Sequence, residues 1–224
     1  PSSAHVTELE YLAAFEAAHA AGAQEIVVVT ISGAMSGANN VARKAAEQAS
    51  LPVHIVDARG PTMSVGWQVL AAARARENGA SAKEMVTAAD KARSTMVQLV
   101  CMDSVEYLHK GGRIGNATHL IGSVLNIKPV IWIDHHSGLV ETAGVARTHK
   151  SAVELMYKKF FSMLDTTKPL RIAVLHGGVL EEAQALAKRI LAEYNPVELI
   201  INITGPVLGI NTGPRALALC GYSE

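Results

Sequence analysis

Apolar runs and polar breaks alternate along this chain at the spacing of alternating helices and strands. Thr7 with Glu10 three residues on has the form of a capping box, which predicts a helix from Glu8 to Ala21 that Gly22 ends. Residues 25–31, Glu-Ile-Val-Val-Val-Thr-Ile, make an unbroken β-branched run, the pattern of a strand buried on both faces of a parallel sheet. That strand delivers Ser32-Gly33-Ala34-Met35-Ser36-Gly37 directly to an alanine-rich helix, Ala38 to Gln48. A second strand over 51–57 follows, then a turn from Asp57 to Gly60, a helix through about Asn78 and another from Ser81 to Arg93. The alternation predicts an α/β layer.

The second half repeats the theme. Strands are predicted over 95–101, 127–134, 139–146, 169–175, 197–203 and 216–220, with helices over 103–109, 116–124, about 148–163 and from 179 through about 194. Pro129 must lie near the start of its strand or on a sheet edge, because it has no N–H to give the ladder. His135-His136-Ser137-Gly138 reads as a hairpin turn, and Thr204 to Pro214, with three glycines and two prolines, as an irregular loop. Between the halves stands Leu108-His-Lys-Gly-Gly-Arg-Ile-Gly115, whose three glycines demand a tight, backbone-exposed turn around Arg113. The predicted domains are 1–94 and 95–224.

Composition narrows the function classes. Twenty basic residues balance twenty acidic ones and 49% of the 224 residues are apolar, so a substantial core is available and no basic tract exists to hold nucleic acid. No apolar stretch approaches the roughly 20 residues of a bilayer span. Cys101 and Cys220 each lie in an apolar strand, the pattern of buried thiols in a cytoplasmic protein rather than a disulfide framework. No zinc-ligand spacing is present, and the adjacent His135 and His136 point opposite ways in extended backbone, which argues against a shared metal.

The most informative local feature is the Ser32–Gly37 loop. A strand that hands a Ser/Gly loop to a helix puts backbone N–H groups and two hydroxyls at the carboxyl edge of a parallel sheet, where such folds take ligands. Ser36 serves there either as a helix cap or as a ligand contact, and the two roles can coexist. The Gly-Gly-Arg turn is either a plain helix ending or an anion-facing nest. Asp57 fits capping better than catalysis, since no second acid or base stands at a telling spacing, and His54 fits a satisfied core or edge position.

Four motifs occur in an order that resembles the DegV family: Ile31 to Gly37, Glu106 to Gly115, Gly122 to Pro129 and Gly205 to Pro214. The resemblance implies a two-domain α/β fold, with a parallel Rossmann-like sheet in the first domain and a mixed sheet in the second. It further implies a cytoplasmic protein that binds one long-chain fatty acid between the domains. Such proteins act as the acyl-carrying subunit of bacterial fatty acid kinase, presenting the carboxylate to a separate kinase subunit. No catalytic residue, metal or other cofactor is implied.

Carried over, the resemblance places the carboxylate at Ser36 and Gly37, with a hydroxyl from the leading segment at Ser3. It adds Asn211 and Thr212 of the C-terminal loop to the carboxylate-binding residues, and sets Arg147, with Arg113, facing the kinase or the phosphate. Two departures stand out. Asn211 occupies the position of the family's histidine and cannot titrate. Relatives also begin with a further strand and helix, including an Asp-Ser motif, so the chain resembles a fragment whose first sheet is short of a strand. The competing reading is a stand-alone phosphate-handling α/β enzyme using the Ser36 loop and Arg113, although no P-loop or nucleophile elbow is present.

Overall fold

The computed structural model describes residues 3–121 and 127–224. The chain forms two compact units, one of Ser3–Ser94 with His135–Gly138, the other of Thr95–Asp134 with Leu139–Glu224.

In the first unit, α1 (Glu8–Ala20) opens on the predicted box: Glu10 N–H donates to Thr7 Oγ1 at 3.3 Å and Thr7 N–H to Glu10 Oε2 at 2.8 Å. The Thr7 hydroxyl bonded to it holds the Glu10 carboxyl below its ordinary value. β1 (Ile26–Thr30) and β2 (Val53–Asp57) pair in parallel, Ile26 opposite Val53 and Thr30 opposite Asp57. Helices α2 (Ala38–Ala46), α3 (Met63–Glu77) and α4 (Ala82–Ser94) pack on this sheet. Period-two alternation turns Val27, Val29 and Val56 toward one face, where Ala72 of α3 and Ala89 of α4 close on them.

The second unit holds β3 (Val97–Cys101), α5 (Glu106–Lys110), a 3₁₀ turn (Gly115–Leu120), β4 (Lys128–Asp134) and β5 (Leu139–Ala146). Then come α6 (His149–Met163), β6 (Leu170–His176), α7 (Leu180–Tyr194), β7 (Glu198–Ile203), α8 (Pro206–Thr212) and β8 (Leu217–Ser223). The sheet order is β5-β4-β3-β8-β6-β7, antiparallel except for the parallel pair β6-β7, so it is mixed as expected. β3 and β8 lie at the centre and every residue of both is buried. Leu99, Cys101, Ile172, Val174, Leu217 and Leu219 share the core under α6 and α7, against Met156, Phe160, Leu186 and Ile190. Pro129 is the second residue of β4, which satisfies the demand that it stand near a strand start. Cys101 and Cys220 are buried free thiols, and burial pushes the Cys101 thiol up to about 12.

Three expectations are corrected. The predicted helix over 116–124 is instead the short 3₁₀ turn through Leu120, and residues 122–126 of that stretch lie outside the described residues. The loop over 204–214 contains a helix, α8, which starts with Pro206 at its first turn, where a missing N–H does no harm, and stops at Gly213 with φ +74°. The helix after Gly37 ends at Ala46, two residues short of Gln48. Among the described residues no helix is long and apolar enough to cross a membrane.

Two outcomes follow from the packing. Gly115 has φ +55°, and a Cβ there would meet the Val140 carbonyl oxygen at 2.6 Å, so Gly115→Ala is expected to lower stability by about 1–3 kcal/mol in denaturant unfolding. Lys128 Nζ lies 2.8 Å from Asp103 Oδ1, and that hydrogen bond is the main cause holding the Asp103 carboxyl below its ordinary value. The resulting stability is complete above the unfolded-state value and is lost as pH falls through the folded one. Lys128→Met should therefore move the Asp103 midpoint upward in an NMR titration.

Candidate functional site

The end of β1 is where the predicted site takes shape. Each N–H from Gly33 to Ser36 finds an acceptor nearby: Gly33 donates to Asp57 Oδ2 at 3.1 Å and Ala34 to Ser32 Oγ at 3.2 Å. Met35 and Ser36 both donate to the Ser32 carbonyl, at 3.0 and 3.1 Å. The Ser32 hydroxyl is buried and donates to the Gly138 carbonyl at 2.8 Å. Of the two hydroxyls expected to be offered at this edge, Ser32's is therefore consumed. Ser36 is different. Its Oγ accepts from Ala38 N–H at 3.2 Å, which leaves the hydroxyl proton without an acceptor among the described residues.

The helix cap itself is Gly37 rather than Ser36, since α2 begins at Ala38. The N–H groups of Gly37, Asn39 and Asn40 have no acceptor among the described residues, as expected of a first helical turn. One hydroxyl and three amides thus converge at the positive end of α2, a donor set suited to a carboxylate or other anion. Buried Asn39 fixes that turn from below: its Nδ2 donates to Thr30 Oγ1 at 2.8 Å and its Oδ1 accepts from Arg43 Nε at 2.9 Å.

Asp57 is an anchor rather than a member of an acid–base pair. One carboxylate oxygen takes Gly33 N–H and the other takes Arg59 N–H at 2.8 Å, so the ends of β1 and β2 are tied through one side chain. Arg59, at φ +49°, donates to the His136 carbonyl at 2.6 Å, and His135 Nε2 meets the Ser64 hydroxyl at 2.7 Å. His54 pairs with Glu25 at 2.7 Å, an edge histidine with a partner. Among the described residues no group of His, Cys, Asp or Glu could hold a metal ion. A cleft of about 300 Å³ beside β2 is lined by Arg43, Asp57, Arg59, Asp90 and Arg93. Its guanidinium groups are spent on Asn39, His136, Asp90 and the Asp57 carbonyl, and its charged lining does not suit an acyl chain.

The remaining candidates are placed as follows. Ser3 is exposed in the segment before α1, and two residues on the His5 ring lies against Gly37, so that segment runs beside the serine loop. In the other unit Asn211 and Arg113 meet at one residue. The Asn211 amide packs on Gly111, where any Cβ would collide with Oδ1, and Arg113 donates to the Gly111 carbonyl. Asn211 Nδ2 also donates to the Val207 carbonyl at 2.8 Å. Thr212 is buried with its hydroxyl donated to the Leu208 carbonyl at 3.2 Å. Arg147 is exposed between β5 and α6 and its side chain has no partner among the described residues. The His5 contact and the double role of Asp57 are what sequence reasoning missed, for both depend on residues more than twenty positions away.

Against known proteins, the family profile described as uncharacterised proteins of the DegV family matches residues 1–224. A DegV domain-containing protein of Streptomyces coelicolor is 34% identical over 200 residues, 88% of this chain and 70% of the relative. A solved structure named for fatty acid binding of a DegV family protein from Thermus thermophilus superposes with a TM-score of 0.93 at 29% identity, over all of this chain and 79% of that one. DegV of Bacillus subtilis, named as a fatty acid binding protein, superposes at 0.89 with 25% identity, over 100% and 79% of the two chains.

If Asp57 anchors the loop, Asp57→Ala leaves two N–H groups without acceptors and is expected to destabilise the first unit by about 1–3 kcal/mol per orphaned group that water does not reach. Amide hydrogen exchange should then speed up at Gly33 and Arg59 ahead of the strand interior, and unchanged rates there would remove Asp57 from this role.

Proposed function

The chain belongs to the DegV family, and from that premise we propose that it binds a long-chain fatty acid, with the carboxylate at the Ser36–Gly37 loop, and presents it to a separate kinase subunit for phosphorylation. The observation that carries this reading is the donor set at the end of β1, a free hydroxyl proton on Ser36 and the open amides of Gly37, Asn39 and Asn40. The fatty acid ligands for which the Thermus and Bacillus proteins are named support the same choice of ligand.

Energetics divide the work between tail and head. Each buried methylene contributes roughly 0.8 kcal/mol, so ten contribute about 8, whereas a hydrogen bond to the charged head adds about 1.5–3. The tail sets affinity and the loop sets orientation. Ser3 and Asn211 are the further carboxylate contacts on this reading. Thr212 would have to release the Leu208 carbonyl before its hydroxyl donated to a ligand. Arg147, exposed and unpaired among the described residues, is the cation that faces the kinase or the incoming phosphate, and Arg113 braces its own turn. The protein carries its ligand and leaves the chemistry to the kinase, a cytoplasmic partnership.

Native mass spectrometry of protein made in bacteria, followed by extraction, tests the ligand: a stoichiometric long-chain fatty acid is expected. Ser36→Ala should weaken fatty acid binding roughly tenfold or more and abolish phosphorylation when a kinase subunit is supplied. Phosphorylation that survives the substitution would sink the role of Ser36, and turnover without any partner would favour an enzyme instead.

A further inference from the structure

His5 occupies a fixed place beside the serine loop. Thr7, two residues on, is locked as the cap of α1. α1 in turn is tied to the far end of α2, where Gln48 Nε2 donates to Glu8 and both the N–H and hydroxyl of Ser50 donate to Glu16, at 2.9 and 2.8 Å. The residues leading into α1 are therefore held along α2 toward its N-terminus. There the His5 ring rests on Gly37: a Cβ on Gly37 would lie 3.0 Å from Nε2 and 3.2 Å from Cδ2. A side chain at position 37 would push the imidazole back from the cap of α2 by a few tenths of an ångström.

The ring's hydrogen bonding fixes which nitrogen faces the loop as a reactive edge. His5 Nδ1 lies 2.9 Å from the Val6 carbonyl oxygen, which can only accept, so Nδ1 carries a proton. Nε2, on the Gly37 side, has no partner among the described residues. It lies against Gly37, the residue that follows Ser36, whose hydroxyl proton is likewise uncommitted.

We propose that His5 is a further carboxylate-binding residue, its Nε2–H donating to the head group held by Ser36. This rests on the fatty acid reading above. With Nδ1–H given to Val6, the bond to the carboxylate uses the second ring N–H, at Nε2. Of the ionisable groups on α1, α2 and the loop, Glu8 is engaged with Gln48, Glu10 with Thr7, Arg43 with Asn39 and Asp57 with Gly33 and Arg59, while Lys44 and Glu47 stand at the far end of α2 from Gly37. His5 thus recognises the charged head and makes no contribution to the tail.

The test compares palmitic acid with hexadecanol, which share a tail and differ in the head, by titration calorimetry on the unaltered protein and on His5→Phe. Phenylalanine keeps a ring on Gly37 and removes both nitrogens. Affinity for the acid is expected to fall roughly tenfold while that for the alcohol stays within about twofold, with an unchanged unfolding midpoint. Equal losses for acid and alcohol, or no loss for the acid, would overturn the role of His5 alone. Failure of the unaltered protein to bind the acid would overturn the fatty acid reading together with it.

Discussion

Backbone donors leaving the end of a parallel strand must find acceptors, and at the end of β1 Ser32 of the loop and Asp57 at the end of β2 supply them. Gly33 turns to Asp57, while Ala34, Met35 and Ser36 turn to the side chain or carbonyl of Ser32. Four consecutive N–H groups are thereby closed off, and the first open donors appear together, at Ser36 Oγ and the start of α2. The placement of the candidate site is a consequence of this accounting rather than of any single motif. Moving the loop orphans several groups at once, each at about 1–3 kcal/mol when buried, so the open donors are held in one arrangement.

The second unit obeys a different constraint. Its mixed sheet buries β3 and β8 completely, so that, Gln98 apart, the interiors of these strands carry apolar side chains or glycine and polar chemistry falls mainly to the strand ends and connections. Asn211, Thr212, Arg113 and Arg147 all lie in such connections or short helices. There the backbone is shaped by close approach. Gly111 has to be bare for the Asn211 amide to pack on it, and Gly115 has to be bare for the turn to meet β5 at Val140. The Gly-Gly-Arg turn is thus a packing device first, with Arg113 bonded to its own Gly111 carbonyl.

Legibility in the sequence followed the range of the interactions. Unbroken apolar, β-branched runs found both strands of the parallel pair, and the Thr7–Glu10 spacing found a real capping box because its partners are three residues apart. α8 was hidden by three glycines and two prolines, yet a proline at the first turn and a glycine just past the end are compatible with seven residues of helix. The difference between Ser32 and Ser36 was invisible, since what consumes the Ser32 hydroxyl is the Gly138 carbonyl, 106 residues away. Asp57 read as a local cap because its bond to Arg59 is local, whereas the one that steadies the loop reaches back 24 residues to Gly33. His5 carried no periodic signal at all.

A rigid donor set matters most for a ligand whose affinity comes from elsewhere. On the proposed reading an acyl chain gains its free energy from methylenes that are all alike, and such a chain can slide by one carbon for a loss of only roughly 0.8 kcal/mol. Nothing in the tail fixes where the carboxylate stops. Fixing it requires head-group donors whose combined preference exceeds that step and whose positions are set before the ligand arrives, so that no binding free energy is lost in ordering them. The Ser36 hydroxyl and the amides of α2 meet the second requirement through the loop's closed hydrogen bonds. Two or more bonds of about 1.5–3 kcal/mol to a charged group meet the first. On that proposed reading the serine loop acts as a stop that defines register, and the rest of the ligand is free to vary in length beyond it.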